Sequence, residues 1–288
     1  QDLRKTQGLP PLIVAADQEG GQVSRLSPPL KKQASLGSIL KTLPHDAERQ
    51  AAVEAYAETQ AQELKRIGVT LNFAPVVDLK LDVGDRDDGE TRLRTRAIAA
   101  DPYLVAKVAG WYCDVLAKSG IMCTLKHFPG LGRVKRDTHV VSGEVAASEG
   151  QLELNDWVPF RRLMSKSNVA TMLGHVRVMA IDKTTPASFS HKVIRDVIRE
   201  TWHHDGLLIT DDLSMGGVTR SKAGIGHAAV KSLDAGADLL LISYIEQHYD
   251  IVMSALLHAD ADSSLDARVR RQSEDRIARV LNEAASIR

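Results

Sequence analysis

"GLLITDDLSM", residues 206–215, opens with a short apolar run and ends it on two adjacent carboxylates, Asp211 and Asp212. A run of this length with no charge before its last positions reads as a strand buried on both faces. The same design recurs along the chain in "PLIVAAD" (11–17), "VTLNFAPVVD" (69–78), "IMCTLKH" (121–127), "VATMLGH" (169–175) and "ADLLLIS" (237–243). Each of the first five runs ends on a polar or charged group.

Helical patterns fill the gaps. Asp101 reads as an N-cap with Pro102 at the first helical position. Leu104, Val105, Val108, Tyr112, Val115 and Leu116 then make one apolar stripe, and Gly120 closes the segment. Residues 46–67, ended by Gly68, repeat the plan, as do 224–235, ended by Gly236, and a tail from Leu265 to Ile287. Strands alternating with helices predict an α/β fold with a parallel sheet. No G-x-G-x-x-G or G-x-x-x-x-G-K-[ST] is present, which removes the commonest nucleotide-binding reasons for an open sheet. Asp17, Asp78, Lys126, His127, His175, Asp211 and Asp212 all fall at strand ends. In a (β/α)8 TIM-type barrel those ends meet at one mouth, so the barrel is the expected architecture. Such a barrel needs eight strands, and six runs are visible. One more is expected near the C-terminus and another before Gln1, so the first strand and helix are expected to be missing.

The bulk composition agrees. The 288 residues suit one barrel domain spanning 1–288, and 43% apolar content supplies a large core. The 37 basic and 37 acidic side chains cancel, so nothing points to nucleic acid. No run approaches the ~20 apolar residues that cross a bilayer. Cys113 and Cys123 are expected to be two reduced, buried thiols. The chain starts at Gln1 without a methionine or a visible signal peptide, as a processed or truncated product would. A cytoplasmic location is the expectation.

The polar groups at strand ends have definite chemical uses. Asp211 leaves its strand first and should point into the mouth, whereas Asp212 should turn away; either could instead cap the following segment. An ionised carboxylate in a barrel mouth can serve as nucleophile, base or metal ligand. In "KHFPGLGRVKRDTH" (126–139), the D-T-H spacing lets Asp137 hold the His139 ring in one tautomer for acid/base work. Gly130 and Gly132 allow that loop to move. Lys126 and His127 can hydrogen-bond a polar ligand, or Lys126 can pair with Asp17 or Asp78. Arg25, beyond the Gly20–Gly21 turn, can grip hydroxyls or close a loop salt bridge. No H-x-H or H-E-x-x-H is present, and the Lys126 ammonium would repel a divalent cation, so neither metal nor cofactor is expected.

Taken in order, "ADQEGGQVSRL" (16–26), "NFAPVVD" (72–78), "KHFPGLGRVKRDTH" and "ITDDLSM" (209–215) resemble the signature segments of glycoside hydrolase family 3. They are most similar to its bacterial single-domain β-N-acetylhexosaminidase branch, from about Pro11 onward. The resemblance implies a retaining exo-glycosidase acting on a carbohydrate, an N-acetylglucosamine-containing oligosaccharide or cell-wall fragment. It implies Asp211 as nucleophile and Asp137–His139 as the acid/base pair on a mobile loop. Asp17, Arg25, Arg96, Lys126 and His127 match positions that hold the terminal sugar. Two positions depart from the family pattern: Ile98 stands where an aromatic is common, and Leu131 where many members have histidine. Both bear on substrate preference rather than on the reaction. A family 3 glucosidase or xylosidase, and a sugar-binding barrel without turnover, are the rival readings.

Overall fold

The computed structural model describes residues 2–220, 224–243 and 246–286. Five strands form one parallel sheet in chain order: β1 (Ala15–Ala16), β2 (Leu71–Asn72), β3 (Met122–Phe128), β4 (Val169–Leu173) and β5 (Leu208–Thr210). The sixth expected run contributes a single parallel bridge, Leu239 to Ile209. Every run named from the sequence therefore lies in the sheet. The sheet curls as part of a TIM-type barrel. Among the described residues no strand follows Leu239. The regular elements described beyond it are helices, and the apolar run 251–257 lies inside one of them. The strand expected before Gln1, and Gln1 and Ile287 themselves, lie outside the described residues.

Four helices sit where the patterns place them: α1 (Asp46–Arg66), α2 (Pro102–Lys118), α3 (Gly224–Ala235) and α5 (Ala267–Ser286); a further one, α4 (Glu246–Ala261), is not among those read from the sequence. α2 shows why. The Asp101 carboxylate accepts the Tyr103 N–H at 2.9 Å, Pro102 supplies a ready-set φ, and Gly120 turns the chain out at φ 75°. Its stripe of Val105, Val108, Tyr112 and Leu116 is buried against the sheet. Each such side chain contributes about 1.5–3 kcal/mol by leaving water. No helix among the described residues is long and apolar enough to cross a membrane.

Cys113 and Cys123 correct one expectation. They are not free thiols but a disulfide, with Cα atoms 5.5 Å apart and both residues fully buried. The short link from α2 into β3 folds the helix back over its own next strand. That brings the two Cα atoms within the span a disulfide can bridge.

The two faces of the sheet have separate cores. Helices α1 and α2 pack on the outer face. The inner face carries Leu71, Phe73, Ala170, Met172 and Ile209, and is covered by Ile277 and Val280 of α5. α5 is fastened there by charge. Asp238 accepts from Arg199 Nη2 at 2.7 Å, from the Leu208 N–H at 2.8 Å and from Arg276 Nη1 at 3.2 Å. Arg276 also donates to Asp205 at 2.6 Å.

Two outcomes test this arrangement. Denatured, unreduced protein should show no free thiol on titration with a thiol reagent; two reactive thiols would restore the sequence expectation. Asp238→Ala should cost about 3–5 kcal/mol in denaturant unfolding, because it strands two buried guanidinium groups. A loss no larger than that of an exposed ion pair would show that α5 is held by its apolar contacts alone.

Candidate active site

The strand ends deliver the charges. The register of β3 against β4 breaks between Leu125 and Phe128. In a regular strand, neighbouring side chains point to opposite faces; at this break Lys126 and His127 both reach polar partners at the strand ends. Lys126 is only 2% exposed. Its ammonium sits 2.6 Å from Asp17 Oδ1 and 2.5 Å from Glu19 Oε1. Burial works against its charge, and the two carboxylates outweigh it, so its pKa lies above the usual lysine value.

Glu19 reaches this point through a hairpin, Gln18–Gly20 paired antiparallel with Val23–Ser24. Gly20 takes φ 88°, and a Cβ there would lie 2.5 Å from the Ala34 carbonyl oxygen, so only glycine turns this corner. The Glu19 carboxylate also takes a two-pronged grip from Arg96, Nε to Oε2 at 2.9 Å and Nη2 to Oε1 at 2.6 Å. Burial would raise the Glu19 carboxyl, but Arg96 and Lys126 hold it well below the carboxylate range.

His127 is fixed by Asp78. Its backbone N–H donates to Asp78 Oδ1 at 3.1 Å and its Nδ1 lies 2.7 Å from Oδ2. The carboxylate can only accept, so Nδ1 carries a proton, and Nε2 lies 3.4 Å from Arg96 Nη2. Asp78 Oδ1 also takes the Leu131 N–H at 2.6 Å, which fixes the start of the loop toward His139.

Asp137 is buried under the segment 89–91. Its Oδ2 accepts the N–H groups of Glu90 (2.5 Å) and Thr91 (3.1 Å); its Oδ1 accepts the Thr91 hydroxyl at 2.7 Å. The same Oδ1 meets His139 Nδ1 at 3.1 Å and the His139 N–H at 2.9 Å. Burial pushes the carboxyl up, but these donors outweigh it and bring it down to about 2. The ring of His139 is partly exposed, with Nε2 pointing away from Asp137. The loop that the sequence marks as mobile is thus pinned in this structure. Arg86 adds to the pinning by donating to the carbonyls of Leu131 and Gly132, and Asp87 N–H donates to Lys135 O at 2.9 Å.

Asp211 and Asp212 diverge as expected. The Asp211 N–H continues the ladder to Leu173 O at 2.9 Å, and its carboxylate accepts the Asp212 N–H at 2.9 Å. Burial raises its carboxyl, but the nearby His127 imidazole and the Asp212 N–H bring it below the ordinary aspartate value, so it stays ionised. Asp212 turns outward. It accepts the N–H groups of Ser214 (2.9 Å) and Ser243 (3.1 Å) and the Ser243 hydroxyl, holding two loops together.

The structure thus brings Asp17, Arg96, Lys126 and His127 into one cluster, with Asp211 beside His127 and the Asp137–His139 pair joined to it through residues 89–96. Arg25 stays out of the cluster. It is exposed beyond the hairpin and only its backbone N–H, donating to Asp17 O at 3.2 Å, ties it to the site. Three further residues belong to the site. Glu19 and Asp78 carry the cluster's charge balance. His175, at the end of β4, is buried and held neutral; its Nε2–H donates to Asp212 O at 3.0 Å and its Nδ1 accepts from Ser188 at 2.8 Å. Glu19 and His175 are visible in the sequence as polar residues near strand ends, but nothing local tells which of them points inward. Among the described residues no three His, Cys, Asp or Glu side chains are placed to hold a metal ion.

Residues 1–280 match the model of the glycosyl hydrolase family 3 N terminal domain. The chain belongs to this family. It is 33% identical over 232 residues to a beta-hexosaminidase of Idiomarina loihiensis, covering 81% of this chain and 67% of that protein. A family 3 beta-N-acetylglucosaminidase from Paenibacillus sp. superposes with a TM-score of 0.90 at 26% identity, covering 99% of this chain but 52% of that one. A family 3 glycosyl hydrolase from Mycobacterium smegmatis gives a TM-score of 0.80 at 31% identity, covering 96% of this chain and 82% of that one. The chain therefore spans about half of the first of these structures and more of the other.

The depressed Asp137 carboxyl carries a stability consequence. Its contribution is complete above the unfolded value of 3.8 and is lost as pH falls toward about 2. Asp137→Asn should therefore lose less stability than the wild type between pH 4 and 2, measured by urea unfolding at each pH. Parallel acid profiles would show that the donors around Asp137 do not favour its ionised form.

Proposed function

We propose that residues 1–288 form one catalytic barrel domain, a retaining exo-β-N-acetylglucosaminidase. The observation that carries the reading is the pairing of an ionised strand-end carboxylate, Asp211, with a carboxylate-held histidine, His139, beside a buried cluster of sugar-gripping charges. The names of the relatives, beta-hexosaminidase and beta-N-acetylglucosaminidase, support the substrate class.

In this reading Asp17, Lys126, His127 and Arg96 bind the hydroxyls of the terminal sugar. Asp211 attacks the anomeric carbon, and the bond from that carbon to the leaving oxygen breaks with its electron pair going to the oxygen. His139, with Nδ1–H donating to Asp137, gives its Nε2 proton to that oxygen. In the second step His139 takes a proton from water as the water attacks the same carbon, and Asp211 leaves as a free carboxylate. Most retaining glycosidases use two carboxylates; here a histidine takes the second place. The buried Cys113–Cys123 bond favours an oxidising compartment over the cytoplasm expected from the sequence.

The test is hydrolysis of aryl N-acetyl-β-glucosaminides that differ in leaving group. Asp211→Ala should show no turnover yet still bind N-acetylglucosamine, whereas Asp212→Ala should cost mainly stability, about 0.5–2 kcal/mol as for a lost cap. His139→Ala should slow poor leaving groups by ~10²–10⁴ and nitrophenyl substrates much less, because a nitrophenolate leaves without protonation. Equal slowing across the series would place the acid elsewhere. Turnover of glucosides or xylosides in preference to N-acetylglucosaminides would move the substrate class.

A further inference from the structure

The sugar-gripping charges and the acid/base pair are separate in sequence, yet one residue touches both. Thr91 is 6% exposed. Its carbonyl oxygen accepts Arg96 Nη1 at 2.8 Å, and Arg96 in turn holds Glu19, which holds Lys126. Its N–H and hydroxyl both donate to Asp137, the hydroxyl to Oδ1, the same oxygen that meets the His139 ring. The hydroxyl therefore fixes the rotation of the Asp137 carboxylate and keeps Oδ1 turned to the imidazole. The backbone around Thr91 is itself held, since the Asp88 carboxylate accepts the N–H groups of Leu93 (2.7 Å) and Arg94 (3.1 Å).

We propose that Thr91 is a positioning residue, which sets His139 in register with the sugar-binding cluster through Asp137. The inference rests on the reading of His139 as acid/base. Nothing in the local sequence "DDGETRLRTR" (87–96) marks Thr91; its role follows from having its carbonyl on one cluster and its hydroxyl on the other. A loop that carries a general acid must place it to within a fraction of an ångström of the leaving oxygen. Thr91 supplies that reference from the side of the bound sugar. A shift of Arg96 on sugar binding is passed to the Thr91 carbonyl, and through the same residue to the carboxylate that orients the ring.

The variants are Thr91→Val, which keeps shape and loses the hydroxyl, and Thr91→Ser, which keeps the hydroxyl. They are compared with the wild type and His139→Ala on aryl N-acetyl-β-glucosaminides graded by leaving group. N-acetylglucosamine affinity and thermal midpoint are measured alongside. Thr91→Val should lower kcat about 10- to 100-fold on poor leaving groups, the worth of one hydrogen bond to a charged group. It should lower kcat less on nitrophenyl substrates and leave KM within about twofold. Thr91→Ser should return most of the loss. A Thr91→Val loss equal for all leaving groups, a loss that falls in KM and N-acetylglucosamine affinity, or a failure of serine to rescue would overturn the inference and make Thr91 a packing residue. If His139→Ala steepens the leaving-group dependence while Thr91→Val runs parallel to wild type, the positioning role fails and the acid/base reading stands. If His139→Ala also runs parallel, both fail together.

Discussion

The organisation of the site turns on one buried ammonium. Lys126 ends a strand in the middle of the sheet and is almost wholly removed from water. An unpaired charge in that position would cost several kcal/mol. The fold meets the cost by bringing two carboxylates, Asp17 and Glu19, from the loop after β1. The second carboxylate then requires a cation of its own, which Arg96 supplies. This chain of obligations sets where the hairpin 18–24 folds and how the segment 89–96 approaches the mouth. Within this chain Lys126 and Arg96 stand against Asp17 and Glu19, two cations against two anions, with hydrogen-bonding directions fixed.

The same logic separates paired charges from one left without a bonded cation. Lys126 and His127 sit on a rigid strand end and are each paired with a carboxylate. Asp211, also at a strand end, has no cationic partner bonded to its carboxylate; it is kept ionised by a neighbouring imidazole and one backbone N–H. Such a carboxylate is available to an electrophile in a way that Glu19 and Asp78 are not. Asp212, one residue on, is consumed by Ser214 and Ser243. One step along the backbone separates a carboxylate without a bonded cation from one consumed by structural hydrogen bonds, because the strand alternation sends successive side chains apart.

Much of this was legible in the sequence where the cause is local. The cap at Asp101, the stripe from Leu104 to Leu116 and the break at Gly120 are set within one helix, and the structure follows them. The six apolar runs fell in one parallel sheet because burial on both faces leaves a mark on every residue of a strand. The divergence of Asp211 and Asp212 was legible for the same reason. What depends on distant partners was not. Arg25 and Glu19 flank the same turn, and only the three-dimensional course of the hairpin decides that Glu19 enters while Arg25 stays in solvent. The bond between Cys113 and Cys123 depends on how α2 folds back over β3, which neither cysteine's neighbours specify. Thr91 carries no motif at all, since its contacts to Asp137 and Arg96 are set by what lies on either side of it.

The placement of α5 has a bearing on how the molecule is made. The side chains that cover the inner face of Leu71 and Phe73, Ile277 and Val280, are translated roughly two hundred residues after them. During synthesis the concave surface of the growing sheet stays without its cover, and its apolar lining is open to other chains. The long sequence separation makes closure of this core a late and slow event. The arginines and carboxylates that fasten α5 then serve a temporal role: they hold in place a cover that arrives long after the surface it closes.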